Sequence, residues 1–315
     1  MRALGFPFFS TSLSLLIVCG RSSPVTNGWT AAGRDIHGRA SEEDLENFKL
    51  YSQWAGSAYC NDDSSPGTVI TCSSDVCPDI EAHNATVVGS FSDETITGME
   101  GYVGIDTVQS NIVVALRGSG SVRNWIADVN IFLSSCSDLA EDCKVHAGFK
   151  KAWENIADET ISLVKSARDA NPDYRIVVTG HSLGAGVANI AAAYLRVNGL
   201  PCDLYTYGSP RAGNEQFASF VSGQAEGNEY RITHTDDPFT RLPPNSWILG
   251  SYRHVTPEYW LTQVNGSADA LVSDITVCEG TNNDDCNSGT DGFDTLAHLW
   301  YFGGIAGCAP ASITL

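Results

Sequence analysis

Apolar positions along the chain form two kinds of segment, short β-branched runs and longer stretches with helical spacing. The short runs predict strands at 85–91, 101–106, 111–117, 175–179, 203–208 and 230–234. Helical spacing predicts one helix that begins after the capping residue Ser41 and a second that begins near Phe149 and ends before Asn171-Pro172. An alanine-rich helix is predicted from Val187 to Leu195. Strands that alternate with helices predict an α/β fold with a mostly parallel central sheet and helices on both faces.

The first forty residues are predicted to lie outside this fold. Residues 1–20 combine Arg2 with an apolar run, including Leu13–Val18, that is too short to span a bilayer, which is typical of an export signal peptide. Residues 21–40 are polar and contain glycine, as expected of a propeptide or flexible leader. Residues 41–315 are expected to form one domain of a secreted, extracellular and monomeric protein without an integral membrane segment.

Cysteine usage agrees with export. Of the ten cysteines, Cys19 lies in the predicted signal, which leaves an odd number, nine, for the mature chain. Four disulfides are predicted, three that close short loops and one that joins the two ends of the folded chain: Cys72–Cys77, Cys136–Cys143, Cys278–Cys286 and Cys60–Cys308. Cys202 would then be a free thiol, buried on an inner strand. Two sequons predict N-glycosylation in surface loops, at Asn84 and Asn265.

Charge and residue spacing exclude several classes of partner. The formal net charge of −19 argues against nucleic acid and against strongly anionic membranes, because both are themselves negatively charged. A neutral or zwitterionic lipid surface and an uncharged ester remain compatible. No cysteine pair has a zinc-like spacing with histidine, so neither a metal site nor another cofactor is expected.

Candidate chemistry is concentrated in the segment from Tyr174 to Gly186. A buried strand leads into Gly180-His-Ser-Leu-Gly184, and the alanine-rich helix follows at once. A strand, a sharp turn flanked by glycines and a helix are the setting that exposes a nucleophilic serine on an α/β sheet. Ser182 is therefore the predicted nucleophile. A serine that merely caps a helix would not require glycine on both sides.

The acid and the base of such a site follow the serine along the chain, which leaves few candidates. His234, His254 and His298 come after Ser182; the first two are predicted to be structural residues within strands, and His298, at the mouth of a last apolar helix, is the predicted base. Two adjacent carboxylates, at positions 236 and 237, end a predicted strand, where such sheets place functional groups. The residues alone do not separate Asp236 from Asp237 as the acid.

Several motifs together resemble the secreted class 3 lipases of filamentous fungi: Arg117-Gly-Ser119, Asn124-Trp-Ile126, Val145-His-Ala-Gly-Phe149, Gly180-His-Ser-Leu-Gly184, Tyr207-Gly-Ser-Pro-Arg211, Arg241-Leu-Pro-Pro244, Pro257-Glu-Tyr-Trp260 and His298-Leu-Trp-Tyr-Phe302. The resemblance extends from about Ser41 to Cys308. It implies an α/β-hydrolase with Ser182 as nucleophile, His298 as base and Asp237 as acid. Residues 238–240 depart from the residues usual in the family.

The implied activity is that of a triacylglycerol lipase, which hydrolyses acylglycerol esters at a lipid–water interface through an acyl-enzyme; mono- and diacylglycerols are the secondary substrates. The backbone N–H of Leu183 is an oxyanion donor by its position after the nucleophile, and the resemblance implies Ser119 as the second. The alternatives are a feruloyl or other soluble carboxylesterase, a phospholipase, and a catalytically silent lipid-binding protein.

The segment after Ser119 predicts a helical lid. Four apolar residues recur there at helical spacing, and the family's lid occupies the same place: Val122, Trp125, Ile126 and Val129. Such a stripe would cover the site in water and would open where a lipid surface accepts it. The hypothesis is therefore an enzyme that is activated at interfaces.

Overall fold

The computed structural model describes residue 1 and residues 38–93, 97–118, 131–246, 251–263, 265–266 and 269–309. Within these residues the main sheet has eight strands in the spatial order β1-β2-β3-β6-β7-β8-β9-β10. Their bounds are β1 Thr86–Ser92, β2 Glu100–Asp106, β3 Asn111–Leu116, β6 Arg175–His181, β7 Cys202–Tyr207, β8 Glu229–His234, β9 Glu258–Leu261 and β10 Ile275–Cys278. A separate two-stranded sheet pairs β4 (Leu133–Ser135) with β5 (Lys144–His146).

The centre of the main sheet is parallel and its margins are antiparallel. Strands β3, β6, β7, β8 and β9 pair in parallel. The pairs β1–β2, β2–β3 and β9–β10 are antiparallel. The structure therefore has the mostly parallel sheet that the sequence predicts, and all six predicted strands form.

Helices cover both faces of this sheet. Within the described residues they are α1 (Glu42–Asn61), α2 (Pro78–Ala82), α3 (Ala147–Ala170), α4 (Leu183–Val197) and α5 (Glu215–Gly223). Helix α1 begins with a capping box, in which the Ser41 hydroxyl accepts from the Asp44 N–H and the Asp44 carboxylate accepts from the Ser41 N–H. It packs Phe48 and Trp54 into one hydrophobic core, while α3 and α4 contribute to a second core on the opposite face.

Among the described residues there are four disulfides, and they join the pairs that the sequence predicts. Three close loops of few residues. The fourth, Cys60–Cys308, links the end of α1 to the C-terminal segment across 248 positions. Cys202, at the start of β7, is buried and has no disulfide partner within the part of the chain that the structure describes, and burial raises the pKa of its thiol to about 12. This thiol is therefore unreactive at neutral pH.

Among the described residues no helix is long and apolar enough to cross a membrane. Apart from residue 1, the predicted signal peptide lies outside those residues, and so does nearly all of the predicted leader. So do Ser119 and the predicted lid residues Val122, Trp125, Ile126 and Val129.

Candidate active site

Ser182 stands at the tip of a sharp turn between β6 and α4. Its backbone has φ 56° and ψ −123°, a conformation that L-residues rarely adopt. A Cβ on Gly180 would lie 2.6 Å from the Gly184 carbonyl carbon, and a Cβ on Gly184 would lie 2.2 Å from the Leu116 carbonyl oxygen. Both contacts are with backbone atoms, which cannot move aside. Glycine is therefore required on each side of Ser182, as the sequence predicts.

The His298 ring lies between a hydroxyl and a carboxylate. Its Nε2 lies 2.8 Å from Ser182 Oγ, and its Nδ1 lies 2.8 Å from Asp237 Oδ2. The side chain is fully buried and its ring lies 4.3 Å from that of Phe239. With the proton on Nδ1, the ring donates to Asp237 and accepts from the serine hydroxyl.

The element that carries His298 differs from the one predicted. Instead of an apolar helix, it is a single 3₁₀ turn at Ala297–Leu299. Asp294 initiates the turn, because its carboxylate accepts from the backbone N–H groups of Leu296 and Ala297. Glycines at 303, 304 and 307 interrupt the apolar run that suggested a helix, and glycine is a poor helix former.

The Asp237 carboxylate is buried and fully supplied with donors. Its Oδ2 accepts from the Tyr301 hydroxyl at 2.6 Å as well as from His298, and its Oδ1 accepts from the Phe239 N–H at 2.9 Å. Burial by itself raises the pKa of this carboxyl. The positive charge that His298 can carry and the hydrogen bonds together outweigh burial, so that the pKa of Asp237 lies below its usual value. The group is therefore an anion at neutral pH.

Neither of the other two histidine candidates joins this arrangement. The ring nitrogens of His234 lie 3.1 and 2.7 Å from the backbone oxygens of Ala297 and Gln263. His254 Nε2 lies 2.7 Å from the backbone oxygen of Thr240. His254 is not within a strand, contrary to the prediction, because residues 254–257 form an irregular segment that ends in the bend before β9.

Asp236, which the residues alone left open as the acid, turns away from His298. Its side chain packs against Gly292, where a Cβ would lie 2.2 Å from the Asp236 carboxyl carbon. Its backbone oxygen accepts from the Asp294 N–H and from Arg241. It is a structural residue of the loop, and Asp237 alone meets the histidine.

Three buried side chains around the triad received no role from the sequence: Tyr301, His181 and Tyr59. Tyr301 lies three residues after His298, so a turn places both side chains on one side, and that spacing was the available signal. His181 Nε2 lies 2.8 Å from the His298 backbone oxygen, and its Nδ1 lies 2.8 Å from the Tyr59 hydroxyl. These contacts link residues distant in sequence, so no local pattern revealed them.

The described surface includes apolar side chains next to the histidine turn. Phe293 is 78 % exposed and Leu296 is 61 % exposed, although both flank Asp294 within a few residues of the buried His298. Phe132, which follows the predicted lid segment in sequence, is 74 % exposed. A contiguous apolar patch marks a surface that meets lipid or another apolar partner, and these three residues are the described candidates for one.

The sheet is mostly parallel, and a serine stands on a strained turn between a strand and a helix. A histidine is hydrogen-bonded to that serine and to a buried carboxylate. These features together define a serine ester hydrolase of the α/β-hydrolase class. A profile described as lipase (class 3) matches residues 113–247. The chain belongs to the class 3 lipase family.

Relatives in this family are similar over most of the chain. The secreted mono- and diacylglycerol lipase 1 of Fusarium solani is 51% identical over 86% of this chain and 80% of its own length. The secreted mono- and diacylglycerol lipase A of Penicillium cyclopium is 40% identical over 93% of each chain. The crystal structure of the mono- and diacylglycerol lipase from Aspergillus oryzae matches with a TM-score of 0.78 and 38% identity, over 85% of this chain and 99% of that one.

Proposed function

We propose that this secreted lipase hydrolyses the ester bonds of mono- and diacylglycerols at a lipid–water interface. The Ser182–His298–Asp237 geometry carries the proposal, because it provides a nucleophile, a base and an orienting anion in one hydrogen-bonded line. The names of the Fusarium and Penicillium relatives support the choice of partial glycerides. Triacylglycerols are the second candidate substrate.

In the proposed reaction His298 Nε2 takes the Ser182 proton as Oγ attacks the ester carbonyl carbon, which gives a tetrahedral oxyanion. The imidazolium then gives this proton to the departing alcohol oxygen, and the carbon–oxygen bond breaks. Water repeats the cycle on the acyl-enzyme and releases the fatty acid. Asp237 holds the Nδ1–H tautomer and stabilises the positive ring at each step.

The proposed oxyanion hole uses the backbone N–H of Leu183, the first residue of α4, together with Ser119. Leu183 follows the nucleophile directly, and the positive end of the α4 dipole lies at the same point. Gly118, which ends the described segment after β3, is buried and leads directly to Ser119. Loss of one such donor costs about 3–4 kcal/mol of transition-state stabilisation.

Interfacial activation is part of the proposal. Ser182 and His298 are buried, so the site must open to receive an acyl chain. We assign that opening to the lid residues Val122, Trp125, Ile126 and Val129, and we propose that Phe293 and Leu296 contact the lipid. The acidic charge of the chain favours neutral or zwitterionic surfaces over anionic ones.

The test compares hydrolysis of emulsified mono-, di- and triacylglycerols, phosphatidylcholine vesicles and soluble methyl ferulate by the monomeric secreted protein and by Ser182→Ala. We expect the highest rates on partial glycerides, an increase in rate as the substrate passes from monomer to droplet, and loss of that increase in Trp125→Ser. A preference for methyl ferulate would make the protein a soluble esterase, and a preference for phosphatidylcholine would make it a phospholipase. Unchanged activity of Ser182→Ala would refute the assignment of Ser182 as the nucleophile.

We propose the chain organisation predicted from the sequence: residues 1–20 as a signal peptide, 21–40 as a propeptide or leader, and 41–315 as one lipase domain, acting as a monomer. The compact unit that contains the described residues from 38 onward supports the single domain. Mass spectrometry of the secreted protein would test both cleavage points. N-glycosylation at Asn84 and Asn265 is proposed on their sequons and on the exposure of both side chains.

A further inference from the structure

A chain of buried hydrogen bonds leads from helix α1 to the backbone of His298. The Tyr59 hydroxyl lies 2.8 Å from His181 Nδ1, and His181 Nε2 lies 2.8 Å from the backbone oxygen of His298. His181 is 1 % exposed, and its ring centre is 4.7 Å from that of His298. None of these hydrogen bonds involves the Ser182 hydroxyl, so the proposed reaction leaves them intact.

The hydrogen-bond partners of His181 determine which of its ring nitrogens carries the hydrogen. A backbone carbonyl only accepts, so His181 Nε2 carries a hydrogen. Burial, together with the positive charge that His298 can carry, lowers the pKa of His181 to about 3, and the ring is therefore neutral at neutral pH. In a neutral ring Nδ1 then has a free lone pair, and the Tyr59 hydroxyl donates to it. The direction of every hydrogen bond in the chain is thus fixed.

The same hydroxyl contacts Gly118, two residues after the end of β3. A Cβ added to Gly118 would lie 2.0 Å from the Tyr59 oxygen and 2.8 Å from the His181 carbonyl oxygen. Burial raises the pKa of Tyr59 far above its ordinary value, against the opposing effects of Arg117 and of a hydrogen bond from the Gly118 backbone. The phenol therefore stays protonated and contacts Gly118, the residue directly before Ser119.

We propose that Tyr59 and His181 are positioning residues, which together hold the His298 backbone so that its Nε2 faces Ser182, and which tie this backbone to the turn before Ser119. The inference rests on the catalytic roles proposed above. The His298 turn is a single 3₁₀ turn followed by irregular chain, so it has little secondary structure of its own to fix its orientation. The imidazole of His181 replaces that support with one directed hydrogen bond.

Four variants test the proposal in the full-length secreted protein with soluble p-nitrophenyl butyrate. Tyr59→Phe removes the hydroxyl that donates to His181 Nδ1. The His181 ring can then carry its hydrogen on Nδ1 instead of Nε2, which would place the Nε2 lone pair against the His298 carbonyl oxygen. His181→Gln keeps an N–H donor and a carbonyl acceptor on one side chain, whereas His181→Leu keeps neither. Tyr102→Phe is the matched control, because its hydroxyl is as buried and bonds Ser57 of the same helix 2.6 Å away, but it does not touch His181 or His298.

We expect Tyr59→Phe and His181→Leu to lower kcat roughly tenfold or more with little change in KM, because the first weakens and the second removes the hydrogen bond that directs the His298 backbone. Tyr102→Phe should leave kcat unchanged even where it lowers the melting temperature. His181→Gln should recover most of the activity that His181→Leu loses. Nitrogen-15 imidazole spectra should show His181 protonated at Nε2 in the native protein and a mixture of tautomers in Tyr59→Phe.

Equal kcat values in Tyr59→Phe and Tyr102→Phe, or in His181→Gln and His181→Leu, would overturn the positioning role. That failure differs from failure of the proposed function, because it would leave Ser182→Ala inactive. If Ser182→Ala is active, the catalytic assignment itself falls, whatever the four variants show.

Discussion

Tyr301 donates its hydroxyl proton to Asp237 at 2.6 Å, on the same carboxylate oxygen that faces His298. The oxygen thus accepts two hydrogen bonds inside a fully buried pocket. A buried anion is stable only where donors replace the lost water. The Tyr301 hydroxyl therefore replaces a hydrogen bond that water would donate to an exposed aspartate, and it orients the carboxylate towards the imidazole.

Tyr301→Phe should lower both stability and turnover. Hydrogen bonds to charged groups contribute about 1.5–3 kcal/mol, so we expect a loss of that order in the free energy of unfolding. We also expect kcat to fall about tenfold while KM is unchanged, since Asp237 would be less firmly oriented. Denaturant titration and steady-state kinetics measure the two effects. Tyr207→Phe, whose hydroxyl donates to the Phe48 carbonyl, is the control and should affect stability alone.

Gly180→Ala should abolish activity through the backbone rather than through any lost contact. The new methyl group would lie within 2.6–2.9 Å of backbone atoms of Gly184 and Ala185. Relief requires the turn to open, which would displace Ser182 and cost about 1–3 kcal/mol of stability. Gly223→Ala, where no atom outside the neighbouring residues and backbone of its own helix lies within 4 Å of the added carbon, is the matched substitution. Comparable kcat values in the two variants would contradict the steric account.

Stability should decline as the pH falls from about 6.5, because the protein buries neutral histidines. Burial lowers the pKa of His146 to about 4 and that of His181 to about 3. The unfolded chain binds protons at these rings from about pH 6.5 downward and the folded chain does not. Each ring therefore removes stability between its unfolded and folded pKa values, at about 1.4 kcal/mol per pH unit.

His146→Asn tests this dependence without removing the helix cap. His146 Nδ1 accepts from the Phe149 N–H at the start of α3, and asparagine is a favoured residue for the same role. Urea titrations from pH 4 to pH 8 should give a shallower decline for the variant than for the native protein. Parallel curves would show that His146 binds protons equally in the folded and unfolded states.

A glycan at Asn265 should be attached next to the histidine turn. The Asn265 amide nitrogen, which is the atom that carries the sugar, donates to Asp294 at 2.7 Å, and Asp294 initiates the turn of His298. Ser267→Ala removes the sequon and keeps the asparagine. We expect it to lower the intact mass by one glycan and to increase the rate on emulsions, because a polar sugar beside Phe293 hinders contact with lipid. An unchanged mass would show that the site is not used.

The sequence predicted most of the sheet and the Ser182 turn because both depend on local patterns. Strands β9 and β10 were missed, since each has only four residues and β9 begins with the buried Glu258, a polar residue in a core position. Arg231, 2.7 Å from Glu258, compensates its charge. Such a pair is visible only when two strands are already side by side.

Chain order also limited what could be predicted of the site. It reduced the candidates for the base to three histidines, but it removed His181 from consideration because that residue precedes the serine. Choosing between Asp236 and Asp237 needed the family resemblance, because adjacent carboxylates have the same chemistry and differ only in the direction in which each side chain points. The structure separates them through Gly292, which packs against one, and Tyr301, which binds the other.

The Cys60–Cys308 bridge joins the residue after Tyr59 to a residue shortly after Tyr301. A growing polypeptide that has not yet reached position 298 has its nucleophile but no imidazole to activate it, and the covalent link forms only in an oxidising compartment. The hydrogen-bonded line from Ser182 to Asp237 is therefore complete only after residue 298 has been made, and the bridge that fastens its segment closes only once Cys308 has followed.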